Sequence, residues 1–394
     1  MTKLKHTKTN PKYRALILAI LALIINFWAW SLLSPLGTQY GTELALSPLQ
    51  LSLLLAVPVI IGSLGRIPLG MITDKIGGRL AFIIVSLLTS LPVFGLAIVD
   101  GFDSLLIVAV LLGIGGASFV IGVPYISAWF EPKRRGLVIG LYSLGNAGTA
   151  LSGFLTPQLT ETIGRDLTYV IIGTLLVIIA ILFMTLGQNA PNWKPSKGSS
   201  ITRLKKAIIF PVTLNMSIIY ALTFGAIVAF GVYLPVILKE AYGITLIDAA
   251  ARAAGFILLA TLAKPVGGWL SDKIGGRHII KLSLLAIALL AGFIAFQPTL
   301  AIQTTIAYLS LAFMLGVASG AVFAQVSKLT PPNIMGSVTG IVGAAGGLGG
   351  FLPPLILGLT YQYAESYGPA LIMLSLSALI VLLYVSFRFK KNSY

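Results

Sequence analysis

The sequence contains no cysteine, which excludes thiolate metal sites, thiol nucleophiles and disulfides and leaves the redox compartment unread. It has two histidines, His6 and His278, with no metal-ligand spacing, so neither a metal centre nor a catalytic histidine is expected. Charged residues make up 10% of the chain, against about a quarter in soluble domains. No GxxxxGK[ST] loop, helical HExxH or GxSxG elbow occurs, so neither an ATP-driven pump nor a hydrolase is supported. No enzyme and no cofactor are expected.

What is present is apolar. Hydrophobic residues make up 57% of the 394, and the mean hydropathy is +0.97. That is the composition of a polytopic membrane protein, with the lipid bilayer as its solvent. The first apolar run, from about Arg14 to Pro35, exceeds a signal-peptide core and lacks a small-residue cleavage site, so it reads as a retained helix. Further runs centre near residues 60, 89, 115, 148, 178, 222, 258, 287, 314, 348 and 378, predicting twelve transmembrane helices.

The net charge of +16 lies in the short segments between these runs, so it encodes topology and not a nucleic-acid footprint. With both termini in the cytoplasm, 22 of the 27 basic residues fall on that side, and only Arg165, Lys239 and Arg252 fall outside. A multi-pass protein of the cell membrane, probing no nucleic acid, is the expectation. The longest polar stretch, 188–206, divides the chain into an N-terminal half (1–187) and a C-terminal half (207–394). Within it, Ile201 to Ala207 is either a short helix on the cytoplasmic surface or a solvated basic loop.

The halves echo each other. GRIPLGMITDKIGGR (Gly65 to Arg79) returns as AKPVGGWLSDKIGGR (Ala263 to Arg277), pairing Arg66 with Lys264, Gly70 with Gly268 and Asp74 with Asp272. Gly136, Val138 and Gly140 likewise return as Gly336, Val338 and Gly340, making the fifth and eleventh helices counterparts. Their glycines permit close helix crossings in lipid. Asp74, Arg79, Asp272 and Arg277 read as a cytoplasmic gate, with the carboxylates capping or pairing at helix ends and the glycine pairs permitting tight turns.

Arg66 and Lys264 are the only ionisable residues placed well inside the hydrocarbon region. Arg66 lies eight residues, or roughly 12 Å, before Asp74, too deep for comfortable snorkelling. All 11 acidic residues fall in loops or at helix ends, so no carboxylate is available to pair with either cation. A buried cation without a partner costs several kcal/mol. One reading is that a bound anion supplies the missing charge, and the other is that each cation bonds backbone carbonyls or reaches an interface. Asn146, beside Gly145 and Gly148, is either an amide donor to an anion or interhelical glue. Phe119, Tyr220 and Phe224 can sandwich a flat ligand or simply pack.

The gate repeat, twelve runs and central linker resemble the major facilitator superfamily over essentially the whole chain. SLGNAG, within Gly136 to Gly148, and GIVGAAGGLGGF (Gly340 to Phe351), which contains Gly346 and Gly347, look like the paired Gly-rich motifs of the nitrate/nitrite porter family. The resemblance implies two pseudosymmetric six-helix halves and an anion held by Arg66, Lys264 and Asn146 between Phe119, Tyr220 and Phe224. Lysine at 264 departs from the family's arginine and loses its bidentate fork.

Nitrate is planar, singly charged and weakly hydrated, which suits a guanidinium and aromatic faces. Without an intramembrane carboxylate the usual proton relay is missing, favouring exchange of nitrate for nitrite, while nitrate/proton symport remains open through Lys264. Small carboxylates such as formate or oxalate are the alternative substrates. An anion sensor would need a further cytoplasmic domain, for which the short polar ends leave no room. A monomer is expected.

Overall fold

The computed structural model describes residues 10–351 and 366–388. Among the described residues twelve helical crossings follow one another: α1 (Pro11–Trp30), α2 (Pro48–Ile76), α3 (Gly78–Gly95), α4 (Phe102–Gly116, resumed as Phe119–Ser127), α5 (Arg135–Ser143, a 3-10 turn Leu144–Asn146, then Ala147–Ile163) and α6 (Arg165–Thr185), then α7 (Pro211–Tyr242), α8 (Leu246–Leu270), α9 (Gly276–Ala295), α10 (Ile302–Leu329), α11 (Met335–Gly349) and α12 (Gly368–Arg388). The single apolar stretch Asp248–Ala295, of 48 residues, would be about 72 Å long if straight, far more than a bilayer's thickness. It reverses at Gly275, whose φ of 92° ends a turn of π-helix at Ser271–Gly275 and separates α8 from α9. Gly77, with φ 81°, does the same between α2 and α3. Both DKIGGR copies therefore turn on the first glycine of their pair, at positive φ, where the sequence leads one to expect tight turns.

Helix starts are written locally. Asn10 caps α1, Ser47 and Gln50 form a capping box on α2, and Thr245 caps α8. Outward faces are apolar and uncovered, as at Leu91 (65% exposed), Leu289 (65%) and Ile380 (65%), a surface that lipid covers. The segment Ile201 to Ala207 belongs to a short helix, Ser200–Ile209.

The two halves meet through crossed pairs. Helix α2 of the first half packs on α11 of the second, and α8 packs on α5. Gly70 and Gly336 lie against each other's backbone, and so do Gly268 and Gly136. A methyl on Gly140 would come within 2.5 Å of Pro265 Cα, and one on Gly340 within 2.5 Å of the Arg66 carbonyl oxygen. Any larger residue would push the helices apart.

The carboxylates of the two repeats close the same seams. Asp74 accepts from the Gly336 N–H (2.7 Å), the Ser337 N–H (2.9 Å) and the Ser337 hydroxyl (2.7 Å), capping the start of α11 from the other half. Asp272 accepts from the N–H groups of Gly136 (3.1 Å) and Leu137 (2.9 Å) at the start of α5 and pairs with Lys328 at 2.7 Å. A carboxylate at a helix N-terminus meets free N–H groups and the positive end of the helix dipole. Arg79 and Arg277 act differently. Arg79 donates to Phe183 O (3.2 Å) and Met184 O (2.6 Å) at the end of α6, and Arg277 to Ser386 O (3.3 Å) near the end of α12. Each arginine thus secures the last helix of its own half, while the aspartates cross between halves.

Neutralising Asp74 as Asp74→Asn removes a charge-assisted cap worth roughly 1 kcal/mol or more. Spin labels on Lys75→Cys and Lys273→Cys, in a chain with no cysteine of its own, should then report a larger population of long distances. An unchanged distribution would show that this carboxylate does not hold the seam shut.

Candidate functional site

The centre of the molecule lies where the Gly-rich seams bring α2 and α11 together, about two turns above the aspartates. Arg66 is 2% exposed and is among the largest fully buried side chains. Its Nη1 donates to Gly343 O at 2.6 Å, and its Nε and Nη2 both reach Gly116 O at 3.4 Å. The Gly116 carbonyl is available because α4 is interrupted there, its first segment ending before Ala117 and Ser118. Glycine at 343 leaves room beside the arginine, since a methyl there would sit 3.1 Å from Arg66 Cδ. The carbonyl partners considered from the sequence are therefore real for Arg66. Carbonyls orient a guanidinium without neutralising it, and two of its five N–H donors remain uncommitted.

Lys264 is 3% exposed, and its ammonium nitrogen lies 5.0 Å from the centre of the Phe224 ring. The Arg66 guanidinium carbon lies 5.9 Å from the centre of the same ring. Among the described residues neither cation is in an ion pair. One aromatic ring thus serves two buried positive charges, a contact worth about 2 kcal/mol each when desolvated and well short of a full counter-charge.

Phe224 is held by its neighbour one turn earlier. Tyr220 stacks on it with centroids 4.9 Å apart and planes at 6°. Gly346 lies against the Tyr220 ring, and Gly347 against Ser63 of α2, so both glycines of the second motif are places where a side chain would occupy the site's wall. Phe119 stands further off. It stacks on Tyr142 at 5.5 Å and meets Phe323 edge-on at 4.8 Å, and Phe323 in turn meets Tyr220 edge-on at 4.7 Å. Phe119 therefore reaches Phe224 only through two intervening rings.

Asn146 sits in the 3-10 turn of α5, 8% exposed, with its side-chain oxygen lacking any hydrogen-bond partner. Gly145 and Gly148, on either side, lie against Leu23 and the Ile24 backbone of α1, so these two glycines serve helix packing while the turn also touches α8. The structure brings Arg66, Lys264, Tyr220 and Phe224 together. The four gate residues stand apart, at the helix ends.

Four participants were not expected from the sequence: Phe323, Tyr142 and the carbonyls of Gly116 and Gly343. Phe323 is one phenylalanine of 19 and has no polar neighbour to mark it, and backbone carbonyls leave no trace in side-chain identity. The break in α4 was detectable in principle as the GGAS run preceding Phe119.

Residues 19–354 match the Major Facilitator Superfamily. The chain is 43% identical to the "Probable nitrate/nitrite transporter NarK2" of Mycobacterium tuberculosis, over 94% of this chain and 95% of that protein. It is 38% identical to the "Nitrite extrusion protein" of Bacillus subtilis, over 94% and 93%. Among solved structures it is similar to the proton:xylose symporter XylE, with a TM-score of 0.78 at 15% identity over 95% of each chain, a likeness of fold alone.

Replacing Phe224 by leucine preserves most of the apolar volume and removes the ring that both cations approach. Affinity for a small planar anion such as nitrate, read from the anion-dependent rise in melting temperature, should fall on the order of tenfold for a loss near 1.4 kcal/mol. Equal affinity in Phe224→Leu would mean the ring takes no part in the site.

Proposed function

Because the chain belongs to the Major Facilitator Superfamily and, within it, to the nitrate/nitrite porters, we propose that it carries nitrate into the cell and nitrite out of it through one central site. The observation that carries this reading is the pair of buried cations, Arg66 and Lys264, facing one aromatic ring with no carboxylate among the described residues to balance them. An anion entering between them supplies the missing charge, takes up the free guanidinium donors and lays its flat face on Phe224 or Tyr220. Asn146 contributes its amide from α5. Nitrite shares the charge and planarity of nitrate, so one site serves both. Exchanging one monoanion for another moves no net charge and needs no proton relay.

The chain is a multi-pass membrane protein. We place both termini in the cytoplasm of a monomer in the cell membrane, because the basic residues crowd that side. The end sealed by Asp74 and Asp272 is then the cytoplasmic one. Transport proceeds by rocking of the two six-helix halves, 1–187 and 207–394, about the central site, with the glycine seams parting as the cytoplasmic side opens.

Proteoliposomes loaded with nitrite should accumulate labelled nitrate by counterflow without a pH gradient, and excess formate or oxalate should not suppress it. Arg66→Ala should stay folded, lose nitrate binding and lose counterflow. Full nitrate affinity in a well-folded Arg66→Ala protein would remove the site from this account.

Lysine at 264 favours a second mode. Unlike arginine, a buried lysine is able to exchange its proton, so nitrate and a proton can travel together. If Lys264 carries that coupling, Lys264→Arg loses acid-stimulated nitrate uptake and keeps nitrate/nitrite exchange. Identical pH profiles in the two proteins would leave exchange as the sole mode.

A further inference from the structure

The linker helix Ser200–Ile209 is turned inside out for a helix on a water-facing surface. Its arginine, Arg203, is buried at 4% exposure and Ala207 at 0%, whereas Ile201, Ile208 and Ile209 are 66%, 55% and 80% exposed. At 100° per residue, Ile201, Lys205 and Ile208 share one face, with Ile209 beside them, and Arg203 points the opposite way. A surface helix in water keeps its isoleucines inside. This one turns them outward beside two exposed lysines and buries its arginine, so its outer face is matched to a boundary between apolar and charged surroundings.

The inner side is fastened to the seam between the halves. Arg203 donates from Nη1 to Gly198 O (2.8 Å) and from Nη2 to Ser200 Oγ (2.9 Å) and Met71 O (3.4 Å). Met71 lies in α2, less than a turn before the gate residue Asp74. The helix packs on both α2 and α11, the two members of one crossed pair. Just ahead of it, Ser196 ties the same two elements together. Its N–H donates to Asp74 O (3.0 Å) and its hydroxyl to Asn333 O (2.9 Å), two residues before α11.

The outer side lies at a membrane boundary, because the helix ends at Ile209 and α7 begins at Pro211. Lys205 and Lys206 are exposed beside the isoleucines. At the same end a groove of about 440 Å³ opens between Lys206, Ile209, Phe210, Pro331 and Ile334. It combines apolar walls with one ammonium group. Exposed isoleucines flanked by lysines at this level are complementary to acyl chains and to the phosphodiester of an anionic headgroup.

We propose that this helix is a binding site for anionic phospholipid of the cytoplasmic leaflet, and that lipid bound there favours the closed cytoplasmic gate. The isoleucines enter the acyl region, and Lys205 and Lys206 hold headgroup phosphates. Arg203 and Ser196 then keep α2 and α11 together from below. The proposal rests on the cytoplasmic placement of this end and is independent of which anion is carried.

The full-length chain carrying Ile208→Cys, labelled with an environment-sensitive fluorophore, is placed in nanodiscs of phosphatidylcholine alone or with phosphatidylglycerol. Phosphatidylglycerol should shift the emission to the blue and reduce quenching by aqueous iodide several-fold, and Lys205→Gln with Lys206→Gln should abolish both effects. In a parallel sample, labels on Lys75→Cys and Lys273→Cys should show more of the short distance with phosphatidylglycerol, but not in the double glutamine variant. Equal iodide quenching in both lipids would overturn the site. Shielding that appears only on adding cytosolic protein would also overturn it, because the face would then dock a protein. An anionic-lipid effect on the fluorophore without any change in the gate distance would overturn the coupling to the gate.

Discussion

Two positive charges buried beside one aromatic ring, with no carboxylate among the described residues to meet them, are the constraint on which the rest of the molecule depends. Desolvating a cation is expensive, and two like charges in one low-dielectric space repel each other. Arg66 recovers part of that cost from the carbonyls of Gly343 and Gly116, and both cations recover a little from Phe224. The remainder is recovered from water or from an anion. A site of this kind closes more readily when loaded than when empty, because closing an empty site removes the last solvent from two unpaired charges. For the proposed exchange, that asymmetry couples the two fluxes without a separate device, since a carrier whose two cations both stay charged reorients at low cost only with an anion aboard.

Closing requires the halves to approach within backbone contact, and this is where the glycines act. Gly70 against Gly336 and Gly268 against Gly136 let carbonyl oxygens of one helix rest on the backbone of the other, and the aspartates then cap the opposing helices. The contact consists of directed hydrogen bonds at the helix ends and close van der Waals packing above them. Such an interface is selective for one register and still separable, because little apolar area outside the helix line has to be exposed to lipid or water as it parts.

The parts of the structure legible in the sequence are those governed by partition between water and lipid. Run length and hydropathy mark the crossings, and the isolation of Arg66 and Lys264 from every acidic residue marks the centre. Exchange of partners was not legible. The repeats identify α2 with α8 and α5 with α11 as counterparts, yet the contacts join α2 to α11 and α5 to α8. Arg79 and Arg277 have the look of gate residues because they adjoin the gate aspartates, but their guanidinium groups reach the free carbonyls at the ends of α6 and α12. The family resemblance implies Phe119 beside the anion, yet Phe323 and Tyr220 stand between it and Phe224, because the ring order depends on the register of α10, which no local pattern encodes.

The crossed gate has an implication for ancestry. Each half carries both members of the contact, a donor helix start with its glycine and an acceptor carboxylate with its own, so each half is complementary to a copy of itself. A contact in which element A meets element B and B meets A is the isologous contact of a twofold dimer. A free-standing six-helix unit bearing one DKIGGR turn and one Gly-rich helix start would already possess the whole gate upon pairing with an identical partner. Fusion of two such copies through a linker would free them to diverge, and arginine at 66 against lysine at 264 is one place where the two halves differ.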